Sequence, residues 1–348
     1  MRRQRGGKKW KEGVDGCIFY PAVSCQGDPK TNVVDMGFLS KIIPKGSIDE
    51  GVESFIATHF PHIVAGKGVL IAERRCTPQF KPTNLNTGGL QVKNGPCKAL
   101  DEKHPELYTN FITEKYDDKN FYQTVREEPY ISDTLLKLKL LRRALNAAVA
   151  LVPDDGPWVL GFDFHIGNIF VKQGAEPYSS LADWGRTILI ENPKDPMSLR
   201  RGIRQGLQYI QSSGLQHFIN YPEVPQFSDF MRESLNITYE EAVTHKTISE
   251  NIDNLRIMNV YGILASIIDS KTISFSDPIT LIRDLTSTAS QQDVINALNK
   301  NIIIPGISNY IDIDTFFPKS NASVTRGGKR TRKQKKTLKK MSVRKSRR

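Results

Sequence analysis

Cysteine is scarce in this 348-residue chain, with four residues at 17, 25, 76 and 97 and no Cys-x-x-Cys pair. That spacing speaks against the common structural zinc sites. The six histidines (59, 62, 104, 165, 217 and 245) are scattered without metal-ligand spacing. No apolar h-region follows the basic N-terminus, and no apolar run approaches the length of a membrane span. These scarcities lead to an expectation of a reducing, intracellular setting without a secreted disulfide framework. Acids are missing from both ends. Of the 49 Lys and Arg, six fall in residues 1–11 and thirteen in residues 326–348, neither stretch holding an acid. The body keeps 30 basic against 37 acidic residues, a net charge of about −7, so the overall +12 belongs to the ends. A mildly acidic body is not a nucleic-acid-binding domain by charge. The C-terminal run also lacks interleaved aromatics, which excludes base reading by stacking. No internal repeat is present.

What the chain does contain is an ordered series of polar clusters set between apolar runs. Gly161-Phe-Asp-Phe-His-Ile-Gly-Asn-Ile-Phe-Val171 places Asp163 five residues before Asn168. Leu181-Ala-Asp-Trp-Gly-Arg186 then opens a turn with Asp183. Far upstream, Gly13-Val-Asp-Gly-Cys-Ile-Phe19 sets Gly13, Gly16 and Ile18 on the last part of a Gly-x-x-Gly-x-Val loop, with Lys11 where a first glycine would stand. Alone, this stretch reads equally as a hairpin turn with two glycines. Lys41 lies within Met36-Gly-Phe-Leu-Ser-Lys-Ile-Ile43, which reads as a buried strand. A buried lysine needs a partner. Glu53 is the best candidate and Glu50 the second, on a helix over about 49–58 that Ser47 or Asp49 caps. The alternative is that Lys41 ends an edge strand and faces water.

In this order the motifs resemble the protein-kinase-like superfamily. They are most similar to the serine/threonine kinases of large nucleocytoplasmic DNA viruses. Gly13-x-x-Gly16-Cys-Ile-Phe19, Tyr20-Pro-Ala22, Cys25, Ser40-Lys41 and the basic C-terminal run carry the resemblance, which covers roughly residues 13–270. It implies an α+β, two-lobed fold with disordered basic tails: a basic tail over 1–12, a small β-rich N-lobe with one key helix over 13–116, a larger, mainly helical C-lobe over 117–318, and a basic tail over 319–348. It implies ATP and Mg as cofactors. Asp163 would be the base for a hydroxyl acceptor, with His165 beside it. Asn168 and Asp183 would hold the metal. Gly13, Gly16, Ile18, Lys41 and Glu53 would serve the nucleotide, and Glu114 to Tyr116 would form the adenine-binding hinge. The resemblance places the chain in the host cytoplasm or nucleus, or in a virion.

Departures from the family pattern bear on the acceptor and on regulation. Gly161-Phe162 stands where His-Arg normally precedes the base, so activation-loop phosphorylation is not expected to control activity. His165 occupies the position of a lysine, as in small-molecule phosphotransferases of the superfamily; a hydrogen-bonded core histidine is the other reading. No clear Ala-Pro-Glu follows Asp-Trp-Gly. Protein and small-molecule acceptors therefore both stay open, as does a pseudokinase scaffold. The C-terminal run is expected to be disordered and to bind nucleic acid or another polyanion, or to act as a nuclear-import signal.

For the remaining chain, strands are expected over 13–43 (with a polar loop at 25–35), 68–73, 107–114, 158–160 and 169–171. An irregular insertion is expected over about 74–106. Helices are expected over 133–152, capped by Asp133, then 199–213, 257–268 and within 277–301. Asn259 stands where kinases usually have Asp.

Overall fold

The computed structural model describes residues 8–12, 16–27, 37–80, 100–101, 103–116, 119–161, 163–195, 197–198, 201, 256–304 and 306–316. Gly13, Phe162, the expected helix over 199–213 (apart from residue 201) and the C-terminal basic run lie outside those residues.

In the first half, strands β1 (Lys8–Glu12), β2 (Cys17–Tyr20), β3 (Phe38–Pro44), β4 (Arg74–Cys76) and β5 (Tyr108–Glu114) form one antiparallel sheet in the order β1-β2-β3-β5-β4. Strands β2, β3 and β5, rich in β-branched and aromatic residues, form its centre. Residues opposite each other in adjacent strands share a sheet face. Ile18 pairs with Lys41, Lys41 with Phe111, and Phe111 with Arg75, so these four form one row across the sheet. Between β3 and β4 lie α1 (Ile48–His59) and the short α2 (Pro61–Ala65). Three sequence expectations need correction. Residues 8–12, assigned to a basic tail, form β1, because β2 offers a partner that no local pattern announces. Residues 68–73 do not join the sheet; the strand begins at Arg74, inside the expected insertion.

The third correction concerns the cysteines. Cys25 and Cys76 are joined by a disulfide, and Cys17 is also disulfide-bonded. The expectation of reduced thiols fails because sheet order brings together segments 51 residues apart. The Cα atoms of Cys25 and Cys76 lie 5.6 Å apart, within disulfide reach. By loop-closure entropy, closing a loop of that length stabilises the fold by about 4 kcal/mol.

The second half is mainly helical. After α3 (Phe121–Thr124) comes α4 (Thr134–Ala150), whose first turn is capped by the Asp133 carboxylate accepting from Leu136 N–H at 2.9 Å. Two antiparallel pairs follow, β6 (Trp158–Gly161) with β9 (Thr187–Ile190), and β7 (Ile169–Lys172) with β8 (Tyr178–Leu181). Three helices close the described chain: α5 (Met258–Ser270), α6 (Pro278–Thr286) and α7 (Gln291–Asn301). The main core joins Val52 and Ile56 of α1 to α4, β6, β9 and α5. A smaller cluster of Cys17, Phe19, Val23 and Ile42 lies in the sheet. The architecture is thus a mixed α and β fold. Among the described residues, no helix is long and apolar enough to cross a membrane.

Candidate active site

Two strand registers deliver the polar clusters to one place. Pairing of Gly161 with Thr187 brings Asp163, two residues after the first, beside Arg186, one before the second. Pairing of Ile169 with Leu181 does the same for Asn168 and Asp183, and Ala182 N–H donates to Asn168 O at 3.0 Å.

The loop between β6 and β7 is pinned from below by α5. Asn259, fully buried, accepts from Gly161 N–H at 2.8 Å and donates to Val159 O and Ala148 O. Two turns later on the same face, Ser266 Oγ accepts from Ile166 N–H at 3.0 Å. Gly161 must be glycine, since a Cβ there would lie 2.4 Å from the Phe164 ring. That ring packs edge-on against Trp184, whose indole N–H donates to Leu70 O at 3.0 Å. Trp184 therefore anchors the turn that carries Asp183. Asp183 itself adopts φ 67°, a left-handed conformation that Asp tolerates better than most non-glycine residues.

Charges alternate across the site. Lys41 Nζ lies 2.7 Å from Asp49 Oδ2 and 3.8 Å from Asp183 Oδ1. Burial works against the Lys41 charge, but the Asp49 and Asp183 carboxylates outweigh it and raise the pKa. A Cβ on Gly16 would approach Lys41 Cε to 3.4 Å and Ile43 Cγ2 to 2.7 Å, so the chain passes directly over the lysine. Asp163 faces an imidazole and a guanidinium, with His165 Nε2 at 3.6 Å from Oδ1 and Arg186 Nη1 at 3.6 Å from Oδ2. Burial nevertheless raises its pKa, helped by Asp183 and opposed by His165 and Arg186. His165 Nδ1 accepts from Gly167 N–H at 2.9 Å, so the neutral ring carries its hydrogen on Nε2, toward Asp163. Sequence reasoning missed Arg186. Its signal was adjacency to the Asp-Trp-Gly turn, but only the β6–β9 register turns that into contact with Asp163.

Several expected positions take other roles. The partner of Lys41 is Asp49, at the start of α1, and neither Glu53 nor Glu50. Glu53 sits one turn further along, where its Oε2 accepts from Ala72 N–H at 2.8 Å and faces Arg75 Nη2 at 3.4 Å. Glu50 Oε2 accepts from Gly46 N–H at 2.9 Å. The Glu114 side chain pairs with Lys67 and Lys172, whose ammonium groups outweigh its burial and lower its pKa. The Tyr116 ring is buried, with its hydroxyl 2.9 Å from Ser180 Oγ. A hinge role for these two residues therefore rests on backbone groups alone. Ile18 lies directly across from Lys41.

Burial raises the Glu53 pKa from the usual 4.5 to about 7, against the pull of Ala72 N–H, Arg75 and Lys41. The folded state thus holds this proton more tightly than the unfolded chain does. The resulting stabilisation is complete below about pH 4.5 and is lost as pH rises through 7. The loss amounts to about 3 kcal/mol, and Glu53→Gln is expected to flatten it. Unfolding midpoints at pH 5 and pH 8 measure this; identical pH dependence in both proteins would exclude Glu53 as the titrating group.

The oxygens present suit a hard divalent cation. Asn168 Nδ2 donates to Asp163 O at 2.9 Å, which orients the amide and leaves Oδ1 as a ligand atom. Asp183 supplies a half-exposed carboxylate. No group of three or more His, Cys, Asp or Glu side chains that could hold a metal occurs among the described residues. One Asn and one Asp are a donor set that fits Mg²⁺, which keeps several waters and shares phosphate oxygens.

No protein-family model and no curated protein matches the chain. Among solved structures, the chain is similar to WaaP in complex with acyl carrier protein, at 15% identity over 72% of this chain and 88% of that one, with a TM-score of 0.31. At that score the likeness carries no argument about chemistry, which rests on the geometry above.

Proposed function

We propose that this chain is a two-lobed, kinase-like phosphotransferase that moves the γ-phosphoryl group of ATP to a hydroxyl acceptor, a serine or threonine of a protein. The observation that carries the reading is the meeting of Lys41, Asp183, Asn168 and Asp163, which span 142 residues of sequence, in one charged site. Lys41, held by Asp49, binds the α- and β-phosphates. Asp163 orients the acceptor hydroxyl and takes its proton; its raised pKa makes it a better base than an exposed carboxylate. His165 and Arg186 hold that carboxylate in place and offer N–H groups to charge that develops on the transferred group. Mg²⁺ held by Asn168 and Asp183 would neutralise phosphate charge.

His165 favours a second reading, a small-molecule acceptor, because it stands where protein kinases of the serine/threonine class carry lysine. The full-length protein, incubated with Mg²⁺ and radiolabelled ATP, separates the two. Label on serine or threonine of general protein substrates supports the first reading, and label only on aminosugars or other small polyols supports the second. No transfer to any acceptor, or to water, overturns both and leaves a scaffold. The basic C-terminal run adds a proposal of its own, salt-sensitive binding to polyanions, tested by comparing nucleic-acid affinity with and without residues 326–348 at two salt concentrations.

A further inference from the structure

Lys41 and Arg75 belong to the same row of the sheet, two strands apart with Phe111 between them. Two strand spacings are roughly 10 Å. Both side chains reach α1. Lys41 takes Asp49, and Arg75 takes Glu53, one helical turn on, at 3.4 Å. Arg75 also donates to Ser54 Oγ and to Glu50 O, and its guanidinium lies over the Phe111 ring with Cζ 5.2 Å from the centroid. The helix is thus gripped at two points by cations fixed on one sheet face. Only the first grip is part of the proposed nucleotide site.

The second grip stands on a weak base. β4 is a three-residue edge strand, and such a strand is marginal by itself. What secures it is the residue after Arg75. Cys76 points to the opposite face, where it is bonded to Cys25 and where Asn110 Nδ2 approaches its sulfur at 3.7 Å. Backbone bonds from Gln26 N–H to Thr77 O and from Gln79 N–H to Ser24 O continue the tie on the far side.

We propose that Arg75 is a positioning residue for the Lys41–Asp49 pair, and that the Cys25–Cys76 disulfide holds Arg75 in register, so that nucleotide binding depends on this bond. The dependence on nucleotide rests on the phosphotransferase reading; the clamp on α1 does not. A dithiol that reduces the bond transfers two electrons and two protons, leaves a thiol on each cysteine and becomes a disulfide itself.

The test uses the full chain in four forms: wild type, Arg75→Met, Cys25→Ser with Cys76→Ser, and the three changes together. Two quantities are read, MgATP affinity by titration calorimetry and hydrogen exchange of the α1 amides without nucleotide. The single clamp change and the paired cysteine change are each expected to weaken MgATP binding by roughly tenfold and to speed α1 exchange by a similar factor. The triple variant is expected to be no worse than Arg75→Met, because both changes act through one side chain. Multiplicative losses in the triple variant, or α1 exchange unchanged in Arg75→Met, overturn the proposal. If wild type does not bind MgATP, the phosphotransferase reading falls, and the α1 exchange pattern still decides the clamp. If the cysteine variant does not fold, the dithiol is applied to folded wild type and to Arg75→Met. A loss of α1 protection in wild type but not in Arg75→Met supports the clamp; equal losses overturn it.

Discussion

Replacing Asp163 by Asn is expected to lower phosphoryl transfer by about 10²–10⁴-fold, the range over which a positioned general base contributes. The substitution keeps the size of the side chain and removes its ability to take a proton. It leaves the backbone carbonyl of residue 163, which receives the Asn168 amide, in place. MgATP affinity should therefore change by no more than roughly twofold, because the residue is assigned to the acceptor and not to the nucleotide. The fall then appears in kcat. Single-turnover transfer and nucleotide titration on the same preparation measure both quantities. Transfer at the wild-type rate would remove Asp163 from the chemistry; a large loss of nucleotide affinity would show it to be structural.

The largest expected effect on stability comes from Asn259. Asn259→Leu keeps a side chain of similar shape but strips partners from Gly161 N–H, Val159 O and Ala148 O, all in the main core. Each unsatisfied buried group costs about 1–3 kcal/mol, giving a total of about 5 kcal/mol. Asn259→Asp is informative because it keeps the size of the side chain and one acceptor oxygen while removing both N–H donors. In this chain the carboxylate would keep the bond from Gly161 but would face two carbonyl oxygens that now receive N–H groups. Denaturant titration of the three proteins should rank wild type first, Asn259→Asp second and Asn259→Leu last. The Asn259→Asp protein should also lose stability as pH rises, since ionisation removes the one proton it could donate. Wild-type stability in Asn259→Asp would mean that the carbonyls find other donors.

The site was legible in proportion to how local its signals were. Asp163, Asn168 and Asp183 each sit in a short polar cluster between apolar strands, and strand pairing then brings the clusters together without rearrangement. The long helix capped by Asp133 and the apolar run of α5 were visible for the same reason. Lys41 was legible as a cation on an otherwise apolar strand that needs a partner, but the partner itself was not. Asp49 and Glu53 lie one turn apart on a common helical face, and the choice between them depends on where Arg75 draws the second carboxylate. Arg186, the disulfide and β1 all depend on long-range register, which leaves no mark in local composition.

The bond from Gly161 to Asn259 spans 98 residues. On a ribosome adding about 5–20 residues per second, the loop bearing Asp163 is therefore complete in sequence some 5–20 s before its support is made. During that interval Lys41, Asp49, Asp163 and Asp183 all exist on the nascent chain without the helix that seats the loop. Activity should accordingly arise late in synthesis, after α5 has left the exit tunnel, and chains interrupted between residues 190 and 258 should be inert although every residue assigned to the chemistry has been translated.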